Sequence, residues 1–538
     1  MNSPSPRTHT YDAVIIGGGH NGLTCAGYLA KAGMKVAVVE RRGIVGGACV
    51  TEEFHPGFRN SSCSYLVGLL APEVIADLEL HRHGLEILER PGGTLSVLPE
   101  GGSIELTADR AGVMAQLAET APGDADAYAE LSGLLDTAAT VMRAIARERP
   151  PEMTGGWGQL LQTARAGLHL RHLSPAQRAD FAGLMLKSLG DFLDERFQNE
   201  AFKGVYGFKG LVGNMVSPYA IGSAYVLLHH VFGEVNGKRG KWGQPRGGMG
   251  GITQAMQRSL EARGGHVWLD DGVREVIVEK GRAAGVALHG GAVLRAPIVA
   301  SSVNPRLLFL SMLDTSLLES AFVRRLENWR CRSGTFRMNV ALSELPDFTA
   351  RPGSDMQRHH TGTIAIAPSL AYLERAYDDA RHRGWSRQPV ISMCIPTTIE
   401  PGLAPEGRHI AGLFCQHFNP SLPDGANWDD HRDEVARLVI ETIGEYAPNF
   451  PASVIGYKAL TPLDLETEYG LVGGDIFHGE MHLDQLFSLR PAAGHAAYTS
   501  PIRGLFQCGS GTHPGGGVTG LPGMNAAREI LKRRREFA

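Results

Sequence analysis

The chain has no Cys-x-x-Cys pair. Its seven cysteines, Cys25, Cys49, Cys63, Cys331, Cys394, Cys415 and Cys508, are scattered and odd in number, which argues against a dithiol redox centre or structural zinc and for a reducing compartment. A cytoplasmic location is therefore expected. No apolar run approaches the length needed to span a bilayer. The opening Met1-Asn2-Ser3-Pro4-Ser5-Pro6-Arg7 has no apolar core, so it reads as a disordered lead-in and not as a secretory signal. Neither sign of charge dominates: 52 Lys and Arg stand against 56 Asp and Glu, a formal net charge of −4, and nucleic acid is not an expected partner. The basic run Lys532-Arg533-Arg534-Arg535 suits the C-terminus of a last helix, with peripheral attachment to a membrane as the alternative.

What the chain does have is glycine in informative places. The apolar run Tyr11-Asp12-Ala13-Val14-Ile15-Ile16 leads into Gly17-Gly18-Gly19-His20-Asn21-Gly22 and then a helix-like stretch. A second apolar run, Met34-Lys35-Val36-Ala37-Val38-Val39, ends on Glu40, where a ribose-binding acid belongs. In such a unit Gly17 permits the tight turn, Gly19 lets a pyrophosphate approach the backbone, and Gly22 lets the helix pack on the strand. The pyrophosphate rests on unpaired N–H groups at the helix N-terminus, and the Glu40 carboxylate accepts hydrogen bonds from ribose hydroxyls.

A chain of 538 residues is long enough for two or three packed substructures and an enclosed ligand. Nucleotide-binding signals fall in three blocks, giving segments 1–70, 241–306 and 489–538 of one binding domain. The second block opens at Pro245-Arg246-Gly247-Gly248-Met249-Gly250-Gly251, runs through a helix from Ile252 to Arg263, and continues in short strands to Ala300. The third contains Cys508-Gly509-Ser510-Gly511-Thr512-His513-Pro514-Gly515-Gly516-Gly517-Val518-Thr519-Gly520 and feeds a helix from Gly523 to Arg534. Its glycines do not make a second dinucleotide site, because no second strand and acid follow; they suit a cofactor-hugging loop before a helix N-terminus. Residues 71–240 read as a helical substrate or cap region, with helices over Ala125 to Arg147 and Ala176 to Phe197. Residues 307–488 read as a substrate domain with a mixed sheet, including strands at Thr335 to Leu342, Gly362 to Ala367, Val390 to Ile395 and His409 to Gln416.

Candidate chemistry outside the glycines rests on histidine. His230, His478 and His513 are the candidate catalytic residues, since imidazole can orient a substrate or move a proton at neutral pH; satisfied structural histidines are the alternative. His478 and His482 have the spacing of a helical metal pair, but Gly479 interrupts it and there is no third ligand, so no metal is expected. Tyr225, Trp242 and Phe477 are candidate cavity walls. Gly156 to Leu173 has the pattern of an amphipathic surface helix, explained either by core packing or by contact with lipid.

Taken together, the opening Rossmann unit, Gly46-Gly47-Ala48 after Glu40-Arg41-Arg42, Val50-Thr51-Glu52-Glu53, Tyr225 to Val231, Pro245-x-Gly-Gly-Met249-x-x-Ile252, Thr461-Pro462-Leu463-Asp464 and the Cys508 to Val518 loop resemble phytoene-desaturase-type FAD flavoproteins. Within them the likeness is nearest to the group of pyridine nucleotide-disulphide oxidoreductase domain-containing protein 2 and its bacterial relatives, and it covers nearly the whole chain. The resemblance implies an α/β fold: a Rossmann-like FAD-binding domain of the amine oxidase/carotenoid desaturase type with a mixed α+β substrate domain inserted. It assigns Gly17, Gly19 and Gly22 to the pyrophosphate and Glu40, with Arg41, to the adenosine end. Gly46, Gly47 and Ala48 would lie along the cofactor, Val273 would present backbone to the adenine, Gly509 and Ser510 would reach the pyrophosphate or ribitol, and Gly517 and Val518 would approach the isoalloxazine. Two positions depart from the pattern: many relatives are acidic at Ser510, and amine-oxidase-like members carry arginine at Ala48. The disulphides of the group's name find no support, since no cysteine pair is placed to exchange electrons with a flavin.

The resemblance implies an FAD-dependent oxidoreductase that removes or rearranges hydrogen on a small apolar substrate, with oxygen or a quinone as electron acceptor because a second Rossmann unit is missing. An amine or alcohol oxidase of the same fold is one alternative. Another is a flavin-stabilised interaction protein with little turnover. Oligomeric state and substrate identity do not follow from the sequence.

Overall fold

A computed structural model describes residues 8–151, 167, 169–171, 173–231, 233–353 and 355–537. Most of the stretch Gly156 to Leu173 lies outside the described residues. Two apolar runs, Ala13–Ile16 and Val36–Val39, form fully buried strands, as expected of parallel strands covered on both faces. They sit in a five-stranded parallel sheet ordered His266–Trp268, Val36–Val39, Ala13–Ile16, Ile298–Ser301, Leu505–Gln507. Strands from all three glycine-bearing blocks are thus hydrogen-bonded neighbours. The order reverses between Ala13–Ile16 and Ile298–Ser301, so a crevice opens at their carboxyl ends, beyond Gly17 and Ser302.

Helices His20–Lys31, Gly250–Glu261 and Leu521–Arg533 pack together on this sheet. Gly22 is required there: a Cβ on it would stand 2.1 Å from the Gly17 carbonyl oxygen. The meander of Val273–Glu279, Arg282–Leu288 and Val293–Arg295 forms a separate sheet, to which Thr8–Thr10 adds a parallel edge strand.

A second, seven-stranded sheet runs in the order Val454–Leu460, Thr335–Leu342, His409–Phe418, Trp385–Cys394, Thr363–Ile366, Thr94–Val97, Ser103–Leu106. Its last two strands come from the region read as helical. Four residues are too few to show a period in sequence, and Thr94–Val97 is held by parallel pairing to Thr363–Ile366. The helix expected over Ala176 to Phe197 is two helices, Pro175–Leu186 and Leu189–Asp194. Ser188 divides them, its hydroxyl accepting the Asp191 N–H and capping the second helix. Among the described residues no helix is long and apolar enough to cross a membrane.

Candidate cofactor and substrate cavity

A cavity of about 470 Å³ occupies the crevice, within the span of about 300–1,000 Å³ usual for small-molecule and cofactor sites. Of the expected binding residues, Gly17, Gly19, Glu40, Arg41, Gly47, Ala48, Val273, Ser510, Gly517 and Val518 all line it. So do His230, His478, Trp242 and Phe477. Residues some five hundred positions apart in sequence therefore share one wall.

The other expected residues serve the wall from behind. Gly22 sets the helix against the strand. Gly46 donates its N–H to the Gly18 carbonyl at 2.9 Å and shapes the turn that Gly47 and Ala48 continue. A Cβ on Gly509 would lie 2.2 Å from the Ser302 oxygen, so this glycine lets the last strand end close beside its neighbour. His513 and Tyr225 do not line the cavity. The His513 Nε2 is 3.0 Å from the Ile145 carbonyl and its ring packs against Phe487, so this imidazole ties the closing loop to a helix of the cap.

One end of the cavity is organised by Glu40. Its carboxylate accepts the N–H groups of Gly18 at 2.9 Å and Arg42 at 3.0 Å, which fixes the glycine turn to the end of the second strand. The opening helix begins at Gly19 with no side-chain cap, leaving its first N–H groups for an anion in the cavity. A Cβ added to Gly19 would meet nothing nearer than the Gly46 oxygen at 3.9 Å, so the space in front of this turn is open. Across it, Asn21 Nδ2 donates to Ser510 Oγ at 3.1 Å and links the opening helix to the closing loop. An uncapped helix start, an open glycine turn, a fixed carboxylate and a second loop closing over them fit an extended dinucleotide such as FAD.

Much of the remaining lining is apolar, with Tyr65, Leu66, Val212, Trp242, Phe414 and Phe477 among it, and Phe477 lies against Gly516 of the closing loop. Burial lowers the pKa of both His230 and His478 to about 4, so each imidazole on this wall is neutral at pH 7. His478 has a left-handed backbone, φ 59°, in an irregular segment, so it does not pair helically with His482, whose Nδ1 bonds Asp484 at 2.7 Å. Burial raises the Asp475 carboxyl to about 6 behind Phe477.

Sequence reasoning passed over three residues that hold this arrangement. Arg490 is fully buried and donates to the carbonyls of Phe477, Gly479, Glu480, Gln485 and Ser510, at 2.7 to 3.3 Å, tying the His478 segment to the closing loop. Burial brings its pKa down to about 10, which leaves it charged at pH 7. The other two are His20 and His229, which bond the carbonyls of Gly517 and Gly516. Arginine inside an apolar stretch is a usable signal; the turn-facing histidine of an adjacent pair is not visible from spacing alone. Cys25 and Cys508 also meet side chain to side chain in the core, but both are free thiols and neither lines the cavity.

A family model described as an NAD(P)-binding Rossmann-like domain matches residues 15–73. The rat protein named pyridine nucleotide-disulfide oxidoreductase domain-containing protein 2 is 38% identical over 97% of this chain and 93% of its own length. A limonene dehydrogenase component of Castellaniella defragrans is 26% identical over 97% of this chain and 94% of its own. Among solved structures, a putrescine oxidase variant redesigned in cofactor binding superimposes with a TM-score of 0.60, at 17% identity, over 98% of this chain and 99% of its own, a likeness of fold.

Proposed function

The chain belongs to the family of pyridine nucleotide-disulfide oxidoreductase domain-containing protein 2, and from that premise we propose that it is an FAD-dependent oxidoreductase that takes hydride from, or rearranges double bonds in, a largely apolar small molecule. The observation that carries this reading is one cavity whose lining joins the glycine turns and Glu40 to the apolar side chains of Tyr65, Leu66, Val212, Trp242, Phe414 and Phe477.

Glu40 would receive the ribose hydroxyls, the first turn of the helix His20–Lys31 the pyrophosphate, and the Gly517–Val518 backbone the ring. Bound there, FAD supplies a hydride acceptor whose electrons pass on to oxygen or a quinone. The protein's share is orientation and dryness. Trp242, Phe414 and Phe477 exclude water and offer flat apolar surface to a substrate. His478, neutral at pH 7 and with its Nδ1 unpartnered among the described residues, is placed to hydrogen-bond a ligand without presenting charge to it, while His230, bonded to the backbone of Lys209 and Val226, adds a neutral ring to the wall. A relative that spans nearly the whole chain is named for the dehydrogenation of limonene, which supports an apolar substrate over an amine.

Anaerobic titration of the purified protein with polyenes, cyclic terpenes, amines and alcohols tests this directly. Bleaching of the bound flavin by an unsaturated hydrocarbon is expected. Bleaching by amines alone would replace this reading with that of an amine oxidase, and none with any reductant would leave a flavin-stabilised binding protein.

A further inference from the structure

Two buried histidines that the reaction does not use grip adjacent carbonyls of the closing loop. His229, in the helix Tyr225–Val231, places Nε2 2.7 Å from the Gly516 oxygen. His20, the first residue of the opening helix, places Nε2 3.2 Å from the Gly517 oxygen. A carbonyl brings no proton, so in each ring Nε2 must carry the hydrogen and Nδ1 is an acceptor. Burial lowers the pKa of His20 to about 4 and of His229 to about 3, so both are neutral donors at physiological pH.

Holding those two oxygens also sets the direction of the following amides. In a trans peptide the C=O and the next N–H point opposite ways. Fixing the Gly516 and Gly517 carbonyls therefore fixes the N–H groups of Gly517 and Val518. Both residues line the cavity, and neither N–H has an acceptor among the described residues. The loop has little room to relax: a Cβ on Gly516 would stand 2.1 Å from the Phe477 ring, and Gly517 has φ +93°.

Resting on the reading of this cavity as an FAD site, we propose that His20 and His229 are positioning residues that, as Nε2–H donors, lock the Gly516–Val518 backbone so that its two free N–H groups face the electron-rich edge of the flavin. Preorganised donors of this kind stabilise negative charge gathered at that edge on reduction, and so raise the flavin's potential.

The test uses the full-length flavoprotein with His20→Leu, His229→Leu, His20→Gln and His229→Gln, reading the FAD dissociation constant of the stripped protein and the flavin midpoint potential by dye equilibration. Each leucine variant should bind FAD about 2- to 10-fold more weakly, the worth of one neutral hydrogen bond, and shift the potential to more negative values. Each glutamine variant, whose amide can donate from a similar reach, should stay within about twofold of the parent. Leucine variants with unchanged affinity and potential would overturn the proposal, and so would glutamine variants that move as far as leucine ones. Should a leucine variant not fold, its glutamine counterpart decides, together with nitrogen-15 NMR of the parent, where an Nδ1–H tautomer at either histidine is incompatible with the assigned role. A parent protein that binds no FAD takes down the cofactor reading as well; one that binds it while the variants are indifferent takes down the histidine roles alone.

Discussion

Acid should unfold this protein over a narrow range, and the reason is countable. His20, His229, His417 and His513 are each nine-tenths or more buried, and burial lowers their pKa values from 6.5 to about 4, 3, 3 and 4. A histidine whose folded pKa is depressed contributes stability that is complete above its unfolded pKa and is lost as pH falls from about 6.5 towards the folded value, because the unfolded chain takes up protons that the folded one refuses. Between pH 7 and pH 5 each such residue costs about 2 kcal/mol, and the four together roughly 8 kcal/mol. That is comparable with the whole stability of an ordinary domain, about 5–15 kcal/mol. These four alone take up between three and four protons on unfolding near pH 5.5, a slope of about 5 kcal/mol per pH unit; His230, His359 and His478, lowered to about 4 as well, add to it, and Asp475, raised to about 6, subtracts. Urea titrations at pH 7, 6 and 5, followed by far-ultraviolet circular dichroism, would report it as a steep fall in the midpoint. His417, whose two ring nitrogens have no hydrogen-bond partner among the described residues, lies away from the cavity, so His417→Phe should lower the proton uptake by about one without altering flavin binding. A midpoint that is flat from pH 7 to pH 5 would refute the reasoning, since it requires these imidazoles to be protonated in the folded state or exposed to water.

Two further outcomes are expected at the cradle. Glu40→Ala removes the acceptor of one buried and one part-buried backbone N–H group; the stripped protein should lose about 1–3 kcal/mol of stability in denaturant and FAD affinity should fall at least tenfold by equilibrium dialysis, whereas full flavin content at parent stability would deny Glu40 both roles. Gly517→Val asks a β-branched residue to adopt φ +93° with its Cβ 3.0 Å from Leu69 Cδ1; it should purify without yellow colour, and a fully loaded variant would show that this loop does not face the cofactor.

The parallel sheet and its glycine turn were legible because they depend on local signals: unbroken apolar strands, glycine at fixed offsets, and an acid after the second strand. Thr335–Leu342 was readable from its apolar residues Phe336, Met338, Val340, Ala341 and Leu342, and all eight of its residues are buried. The closing loop was legible as a cofactor-hugging turn from its glycines, but its individual contacts with the wall came only through the resemblance, since nothing local brings Gly517 beside Gly19. What was not legible depends on direction in three dimensions. His229 and His230 are adjacent in sequence, yet one turns to the Gly516 carbonyl and the other to the cavity, because successive residues on a helix point about 100° apart. His513 has the composition of a catalytic loop around it, but its ring is spent on the Ile145 carbonyl. Arg490 stands out in sequence only as a charge among apolar neighbours, and its role shows when five carbonyl oxygens are seen to converge on it.

The placement of Leu505–Gln507 beside Ile298–Ser301 has a consequence for how the molecule is made. At about 5–20 residues per second, a ribosome that has released the opening glycine turn needs roughly half a minute to two minutes more before Gly517 and Val518 emerge. Late in that interval, once Phe414 and Phe477 have emerged, the nascent chain holds a half-walled cradle whose greasy side waits for its last partner. A complete cradle for the prosthetic group therefore exists only after the loop of Gly517 and Val518 has emerged.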